Sequence, residues 1–470
     1  MPDFDLAVIG AGAAGLSVTA VAAQLGLRVA LIERDRMGGD CLNFGCVPSK
    51  ALLAASHAAQ AALAAAHLGV RLPEPTIDWP AVQAHVHGAI ATIAPTDSEA
   101  RFRALGAEVL RGQARFAAPN ALWVDGRRIT SRRIVIAAGS SPAVPPIPGL
   151  DRQPYLTNTS VFDLTERPDH LLILGGGPIG LEMADAFAGL GSRVTVIEAA
   201  IIAGKEDPEL VEGLRGCFRA RGITLLEPAK VAAVEPGPTL VLDDASRIAG
   251  SHLLVAVGRR PNLGDLGLAA GNVRASQAGI ATDRGLRSLT NRRVYAVGDI
   301  ADPRGIGPRA FTHVGSYHAG IVIRRALFRL PARIDYAALP RVTYTRPELA
   351  QVGMTEAEAR AAGHRIDILR WPLSDNDRAV AEGDRTGLVK LIVSRGRVLG
   401  AGILAPNAGE IISLWGLAIA QRIRLSALAS QIIPYPTRTE AGKRAAGTWF
   451  LPRLFAPHSK QLVRLLSRLP

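Results

Sequence analysis

The chain has 470 residues, 48% hydrophobic and 20% charged, with 54 Lys and Arg against 41 Asp and Glu for a formal net charge of +13. That length exceeds one ordinary core and predicts two to four globular domains, while only three cysteines exclude a disulfide scaffold. The positive charge suits nucleic acid, a membrane surface or anionic ligands. With no aromatic-interleaved basic stripe or zinc-finger spacing, no nucleic-acid partner is expected, and a diffuse arginine bias is the plain alternative.

The N-terminus, Met1 to Asp5, lacks a basic region and enters a strand at once, so no signal peptide and a cytoplasmic location are expected. The strand Asp5 to Ile9 leads into Gly10-Ala-Gly12-Ala-Ala-Gly15 and an Ala/Leu-rich helix, and Val29 to Glu33 supplies a second strand ending in an acid. In this context the first glycine makes a turn, the second admits a pyrophosphate to the helix N-terminus, and the third lets helix pack on sheet. The acid would bind a ribose hydroxyl.

Next comes Gly38-Gly-Asp-Cys41-Leu-Asn-Phe-Gly-Cys46-Val-Pro-Ser-Lys50. Two cysteines at a helix start favour a thiolate. In a straight helix they would stand about 7.5 Å apart along the axis, so a bridge needs a distorted turn, which Gly45 eases. Two unconnected thiols or half of a metal site are the alternatives, and no metal site is expected. The following Ala-rich stretch, 51–70, is interrupted by Ser56, His57, Gln60 and His67, which argues against a membrane span.

Ile134 to Gly139 and the Pro/Gly cluster through Gly149 read as a strand and linker. The first pattern then repeats: Leu171 to Leu174, Gly175-Gly-Gly177-Pro-Ile-Gly180, a helix, and Val194 to Glu198. Two such units mean two dinucleotides, one of them a bound flavin. Glu198 repels a 2′-phosphate, favouring NAD(H) over NADP(H), although Arg193 and Lys205 lie close in sequence. Leu253 to Gly258-Arg-Arg-Pro-Asn262 closes the second half, and Val294 to Gly298-Asp299 returns to the first. Cys217, in a helix-like segment 209–219, reads as a small buried hydrophobe, and His313 and His318 read as flavin-lining or merely structural. From about Asp335 the pattern becomes strand-rich, with a helix over 410–423. The tail, 458–470, sets Lys460, Arg464 and Arg468 beside five apolar residues; a membrane surface could receive it, but docking on the chain's own dimer is preferred.

These motifs, with Arg346-Pro-Glu-Leu-Ala-Gln-Val-Gly353, resemble the flavoprotein disulfide reductase (pyridine nucleotide-disulfide oxidoreductase) family, which includes dihydrolipoamide dehydrogenase, glutathione reductase and mercuric reductase. The resemblance implies an α/β fold with two Rossmann-like dinucleotide-binding domains and a C-terminal α+β dimerisation domain. Its expected divisions are a first part of the FAD domain (1–148), an NAD(P) domain (149–272), a second part of the FAD domain (273–335), a dimerisation domain (336–455) and a basic tail (456–470). It further implies a homodimer binding FAD through Gly10, Gly12, Gly15, Glu33, Lys50, Gly139 and Asp299. NAD(H) would lie against Gly175, Gly177, Gly180, Glu198 and Gly258. Hydride would pass from nicotinamide to flavin and on to a Cys41–Cys46 disulfide, with Cys46 nearer the flavin, Cys41 performing interchange, and Lys50 paired with Glu182.

The match breaks where disulfide-reducing members carry His-Pro-Thr-x-x-Glu: here the stretch is Tyr435-Pro-Thr-Arg-Thr-Glu440. A phenol with pKa about 10 is a poor base near neutrality, so Tyr435 and Glu440 point toward mercuric reductase-like members and a thiol-reactive or metal acceptor. Neither an N-terminal cysteine-containing metal domain nor a vicinal cysteine pair in the tail is expected, which leaves Cys41 and Cys46 alone to hold a soft ion, so slow mercury reduction is expected rather than dedicated detoxification. Dihydrolipoamide dehydrogenase, a quinone or other acceptor reductase, and a redox-sensing nucleotide-binding protein are the alternatives.

Overall fold

The computed structural model describes residues 1–470. Its first sheet starts with β1 (Phe4–Ile9), whose apolar run is buried and therefore central. Helix α1 (Ala13–Gln24) crosses to β2 (Val29–Glu33), parallel to β1. Helices α2 (Gly39–Phe44), α3 (Cys46–Ala64), α4 (Trp79–Ile93) and α5 (Glu99–Ala104) precede β3 (Ala107–Arg111), which pairs with β2. A meander follows: β4 (Ala114–Ala118), β5 (Ala121–Val124) and β6 (Arg127–Ile136). β6 is long enough to serve twice, pairing its first half antiparallel with β5 and its second half parallel with β1.

After the short β7 (Ser140–Pro142), the pattern recurs as β8 (His170–Leu174), α6 (Pro178–Gly189), β9 (Arg193–Ile197), α7 (Pro208–Ala220) and β10 (Thr224–Leu226). An antiparallel trio, β11 (Val231–Glu235), β12 (Thr239–Leu242) and β13 (Arg247–Ala249), leads to β14 (His252–Val255), which completes the parallel order β10-β9-β8-β14. β15 (Arg259–Pro261) then pairs back onto β7, tying the end of this unit to the exit of the first.

A small sheet of β16 (Ala275–Ser276), β17 (Gly279–Thr282) and β19 (Ala301–Pro303) flanks β18 (Val294–Ala296), which joins the first sheet beside β6. Helix α8 (Thr312–Val322) packs against α1. Last comes a five-stranded antiparallel sheet, ordered β20-β21-β24-β23-β22. Its strands are β20 (Pro340–Thr343), β21 (Glu348–Gly353), β22 (Asp367–Pro372), β23 (Leu388–Ser394) and β24 (Arg397–Ala405), with α9 (Glu356–Ala361) following β21 and α10 (Asp377–Ala381) following β22. α11 (Ala408–Ala420), α12 (Leu425–Ser430) and α13 (Thr439–Thr448) cover it around the fully buried Trp415. The chain closes on α14 (Leu451–Leu454) and α15 (Pro457–Leu466), the latter with no buried residue.

Two details differ from the sequence reading. The cysteine segment is not one helix with a loosened first turn but two: Gly45, at φ −133° and ψ −112°, ends α2 and starts α3 between the cysteines. Cys217 is half-buried rather than core, because the face of α7 that packs inward is Leu210, Val211, Leu214 and Phe218.

Helix α3 belongs to two neighbourhoods. Its N-terminus faces the first sheet's loops, while Ala51, Leu52 and Leu53 share a core with α6 of the second unit. Ser56 donates to the Asp185 carbonyl at 3.1 Å, and His57 Nε2 lies 3.0 Å from the fully buried Asp185 carboxylate. The second unit is clasped to the final sheet by Lys390, whose 4% exposed side chain meets Asp207 at 2.9 Å and Glu209 and Glu356 at 3.0 Å each.

Candidate active site

The loops at the carboxyl ends of both parallel sheets open into one cleft of about 1730 Å³, larger than the 300–1,000 Å³ of an ordinary small-molecule pocket. It is lined from one end to the other by Gly10, Gly12, Glu33, Gly139, Asp299, both cysteines, Lys50, Glu182, Gly175, Gly177, Glu198 and Gly258. Gly15 and Gly180 stand behind it. A Cβ on Gly15 would sit 1.9 Å from the Gly10 carbonyl oxygen, and one on Gly180 2.0 Å from that of Gly175. The third glycine of each loop is thus where helix meets turn without room for a side chain.

Both cradles suit a dinucleotide. Neither α1 nor α6 has a side-chain cap, so their first-turn amides are free for an anion, and no atom stands within 4 Å of where a Cβ on Gly177 would be. Glu33 Oε2 accepts from the Ala11 amide at 2.7 Å, and Glu198 Oε2 from the Gly176 amide at 2.7 Å. Each acid is thereby held at its strand end with lone pairs to spare. Asp299 accepts from Ser140 at 2.6 Å, and burial raises its carboxyl above the usual range. Lys205 lines the cleft, whereas Arg193 begins β9, five residues from Glu198, roughly 16 Å along a strand.

The cysteines lie across the Gly45 break. Cys46 Sγ is 3.1 Å from the Thr312 hydroxyl at the head of α8. A hydrogen bond from Cys41, opposed by burial and aided by Thr312 and then by the Lys50 charge, pulls the Cys46 thiol down to about 6. The same hydrogen bond, with burial, pushes Cys41 far up. At neutral pH the pair carries its charge on Cys46, with Cys41 as the protonated partner. Lys50, one turn on, bonds Glu182 at 2.7 Å and sits 4.3 Å from the Tyr344 ring centre. The second Glu182 oxygen accepts from the Tyr344 amide at 3.1 Å.

Three further contributors join them: in the sequence Thr312 carries no signal, Arg259 appears only within the Gly258–Asn262 motif without a role, and His318 reads as flavin-lining or structural. Thr312 touches Cys46 from 266 residues away. Arg259 donates to the Ser140 hydroxyl at 2.7 Å and meets Asp40 at 3.0 Å and Asp299 at 3.9 Å. His318, fully buried, accepts the Gly298 amide at 3.0 Å, and burial lowers it to about 4, so the neutral ring braces the Asp299 turn. Tyr435 and Glu440 are not brought to the cysteines within one chain. Tyr435 is exposed and donates to Asp377 at 2.9 Å, and Glu440 pairs with Arg444 at 2.9 Å.

Two dinucleotide cradles that meet at a low-pKa thiolate with a protonated thiol beside it define a nucleotide-driven dithiol oxidoreductase. The profile of the pyridine nucleotide-disulphide oxidoreductases matches residues 4–357, and that of the family's dimerisation domain matches residues 339–446. The chain belongs to this family and is an FAD-dependent enzyme whose dimerisation domain supports a homodimer. It is 38% identical to a mercuric reductase of Streptomyces lividans over 95% of this chain and 96% of that one. It is 32% identical to a dihydrolipoyl dehydrogenase of Geobacillus stearothermophilus over 93% and 94%. Among solved structures, the HOCl-induced flavoprotein disulfide reductase RclA of Escherichia coli, in its Cu(II) complex, superposes with a TM-score of 0.85 at 27% identity, covering 95% of this chain and all of that one.

Proposed function

We propose that the enzyme uses NADH to reduce a thiol-reactive acceptor, with soft metal ions of the Hg(II) type as the leading class. The observation that carries this reading is the Cys46 thiolate, held by Thr312 and Lys50 at the meeting of the two cradles. Bound FAD supplies the two-electron transfer between nicotinamide and dithiol. Cys46 provides the thiolate facing the flavin, Cys41 the interchange thiol, and the Lys50–Glu182 pair holds a cation whose charge favours the Cys46 thiolate. Glu198 selects NADH by disfavouring a 2′-phosphate. Overall, NADH and Hg(II) give NAD⁺, a proton and Hg(0).

The metal reading is preferred to lipoamide because Tyr435, which stands where disulfide-reducing relatives carry histidine, has its hydroxyl raised above the ordinary range by the Asp377 hydrogen bond. Such a group does not take protons from a thiol near neutrality. A cytoplasmic location belongs to the same proposal, since a reversible dithiol needs a reducing compartment. The exposed tail helix α15 is assigned to the homodimer rather than to a membrane.

Anaerobic NADH titration tests the core of the reading. A long-wavelength band at two electrons, lost in Cys46→Ser, is expected, followed by Hg(II)-dependent NADH oxidation that exceeds lipoamide-dependent oxidation. Direct bleaching without that band would overturn the dithiol route and favour a quinone acceptor.

A further inference from the structure

Seven arginines line a second cavity, of about 1240 Å³, that shares no lining residue with the cleft. Arg133 enters it from β6, Arg287 and Arg292 from the turns before β18, and Arg324, Arg325, Arg329 and Arg333 from the chain leaving α8. No carboxylate lines it. Asp283 reaches Arg325 at 3.2 Å and Arg287 at 3.9 Å, and the other five arginines form no ion pair.

The place is distinct from the flavin end of the sheet. Arg133 stands opposite Leu6, three residues before the Ile9–Ile136 pair where the strands run out into the cleft loops, roughly 10 Å along β6. Burial, then the charge of Arg329 and those of Arg132 and Arg293, push the Arg133 guanidinium below its ordinary pKa. The backbone that presents the arginines is also irregular. Ile323–Leu327 forms a widened π-type turn, and Arg329 adopts a left-handed φ of 61°. Such features persist where surroundings enforce them and cluster at functional positions.

We propose that this cavity binds a phosphate-dense anion, either a soluble oligophosphate or the clustered phosphates of a lipid surface. Guanidinium forks offer paired N–H donors that match phosphate oxygens, which an ammonium does not. The room exceeds one phosphate, and the arginines come from three separate segments around it, so a ligand with several anionic groups satisfies more of them than a single ion. Occupation relieves the repulsion among the unpaired arginines.

The test uses the full-length, FAD-loaded protein, with inorganic tripolyphosphate as probe and isothermal titration as readout. One site per chain is expected, weakened about tenfold or more in Arg292→Glu/Arg324→Glu and unchanged in the equally charge-altering Lys460→Glu/Arg464→Glu on α15. NADH-driven turnover and the flavin spectrum should remain those of the parent in the first variant, since neither arginine lines the cleft. If that variant loses flavin, Arg329→Gly, which suits the φ of 61°, takes its place. Phosphatidylglycerol vesicles separate the sources. Arginine-dependent co-sedimentation assigns the phosphates to lipid, and tripolyphosphate binding without it assigns them to a soluble anion. Absence of saturable binding by either probe, or equal loss in both charge variants, would overturn the site in favour of diffuse attraction to a cationic chain.

Discussion

Replacing Lys50 with Met should raise the pH at which Cys46 ionises, and replacing Glu182 with Gln should lower it. At about 6, the Cys46 thiol is roughly nine-tenths thiolate at pH 7, and this share falls as pH drops through 6. Lys50 lowers the value and Glu182 raises it. Lys50→Met therefore removes the favourable charge and leaves a carboxylate that is 6% exposed close to the thiol. Loss of one near opposite charge is worth about 1 unit or more, which moves the midpoint to about 7 or higher and leaves half or less of Cys46 ionised at pH 7. The assay is iodoacetamide alkylation of the reduced protein against pH, read by mass spectrometry in a Cys41→Ser background that keeps a hydroxyl donor. Cys41→Ala, which removes the leading hydrogen bond, should shift the midpoint upward further. Equal midpoints for Lys50→Met and parent, or shifts of the same sign for Lys50→Met and Glu182→Gln, would refute the assignment.

Lys390→Met should cost about 3–5 kcal/mol of stability in denaturant melts, since it strands the buried Asp207 carboxylate between domains; a loss under 1 kcal/mol would mean that the clasp is not coupled to folding. Gly15→Ala should purify colourless, while Gly180→Ala should retain flavin but lose NADH reduction, because each added Cβ collides with the turn of its own cradle only. Arg259→Met should weaken FAD retention roughly tenfold, as measured by flavin release on dilution, because Asp40 and Asp299 lose the cation between them. Deleting residues 456–470 should shift the protein toward monomer in sedimentation if α15 packs on the dimer, and should leave the assembly unchanged otherwise.

The parts of the site that were readable are those whose chemistry is local. Gly10, Gly12, Gly15 and Glu33, like Gly175, Gly177, Gly180 and Glu198, lie within one strand–turn–helix unit, so spacing alone places them. The cysteine spacing showed that a straight helix could not join them, but not that Gly45 would split it into two helices. Residues that act across the fold were readable only through family resemblance or not at all. Lys50 finds Glu182 from 132 residues away, Thr312 finds Cys46 from 266, and Arg259 reaches Asp40 because β15 pairs with β7. No periodicity reports such meetings. The tail's amphipathic pattern was visible, and α15 buries none of its residues within its own chain.

The double attachment of α3 divides the enzyme into an invariant part and an adjustable one. Cys46 and Lys50 ride on a helix anchored at Glu182, Asp185 and the shared apolar core, so their positions can hardly be altered without unsettling two nucleotide cradles at once. Within the strip from Tyr435 to Glu440 the attachments are uneven: Tyr435 is exposed and its hydroxyl is held by one surface carboxylate, whereas the Thr437 carbonyl accepts from the buried Asn376 at 3.0 Å and Arg438 pairs with Glu382. Substitution is therefore costly at the dithiol and cheap at the exposed Tyr435, so Tyr435 is the position at which the proposed role in acceptor choice can be varied without disturbing either cradle.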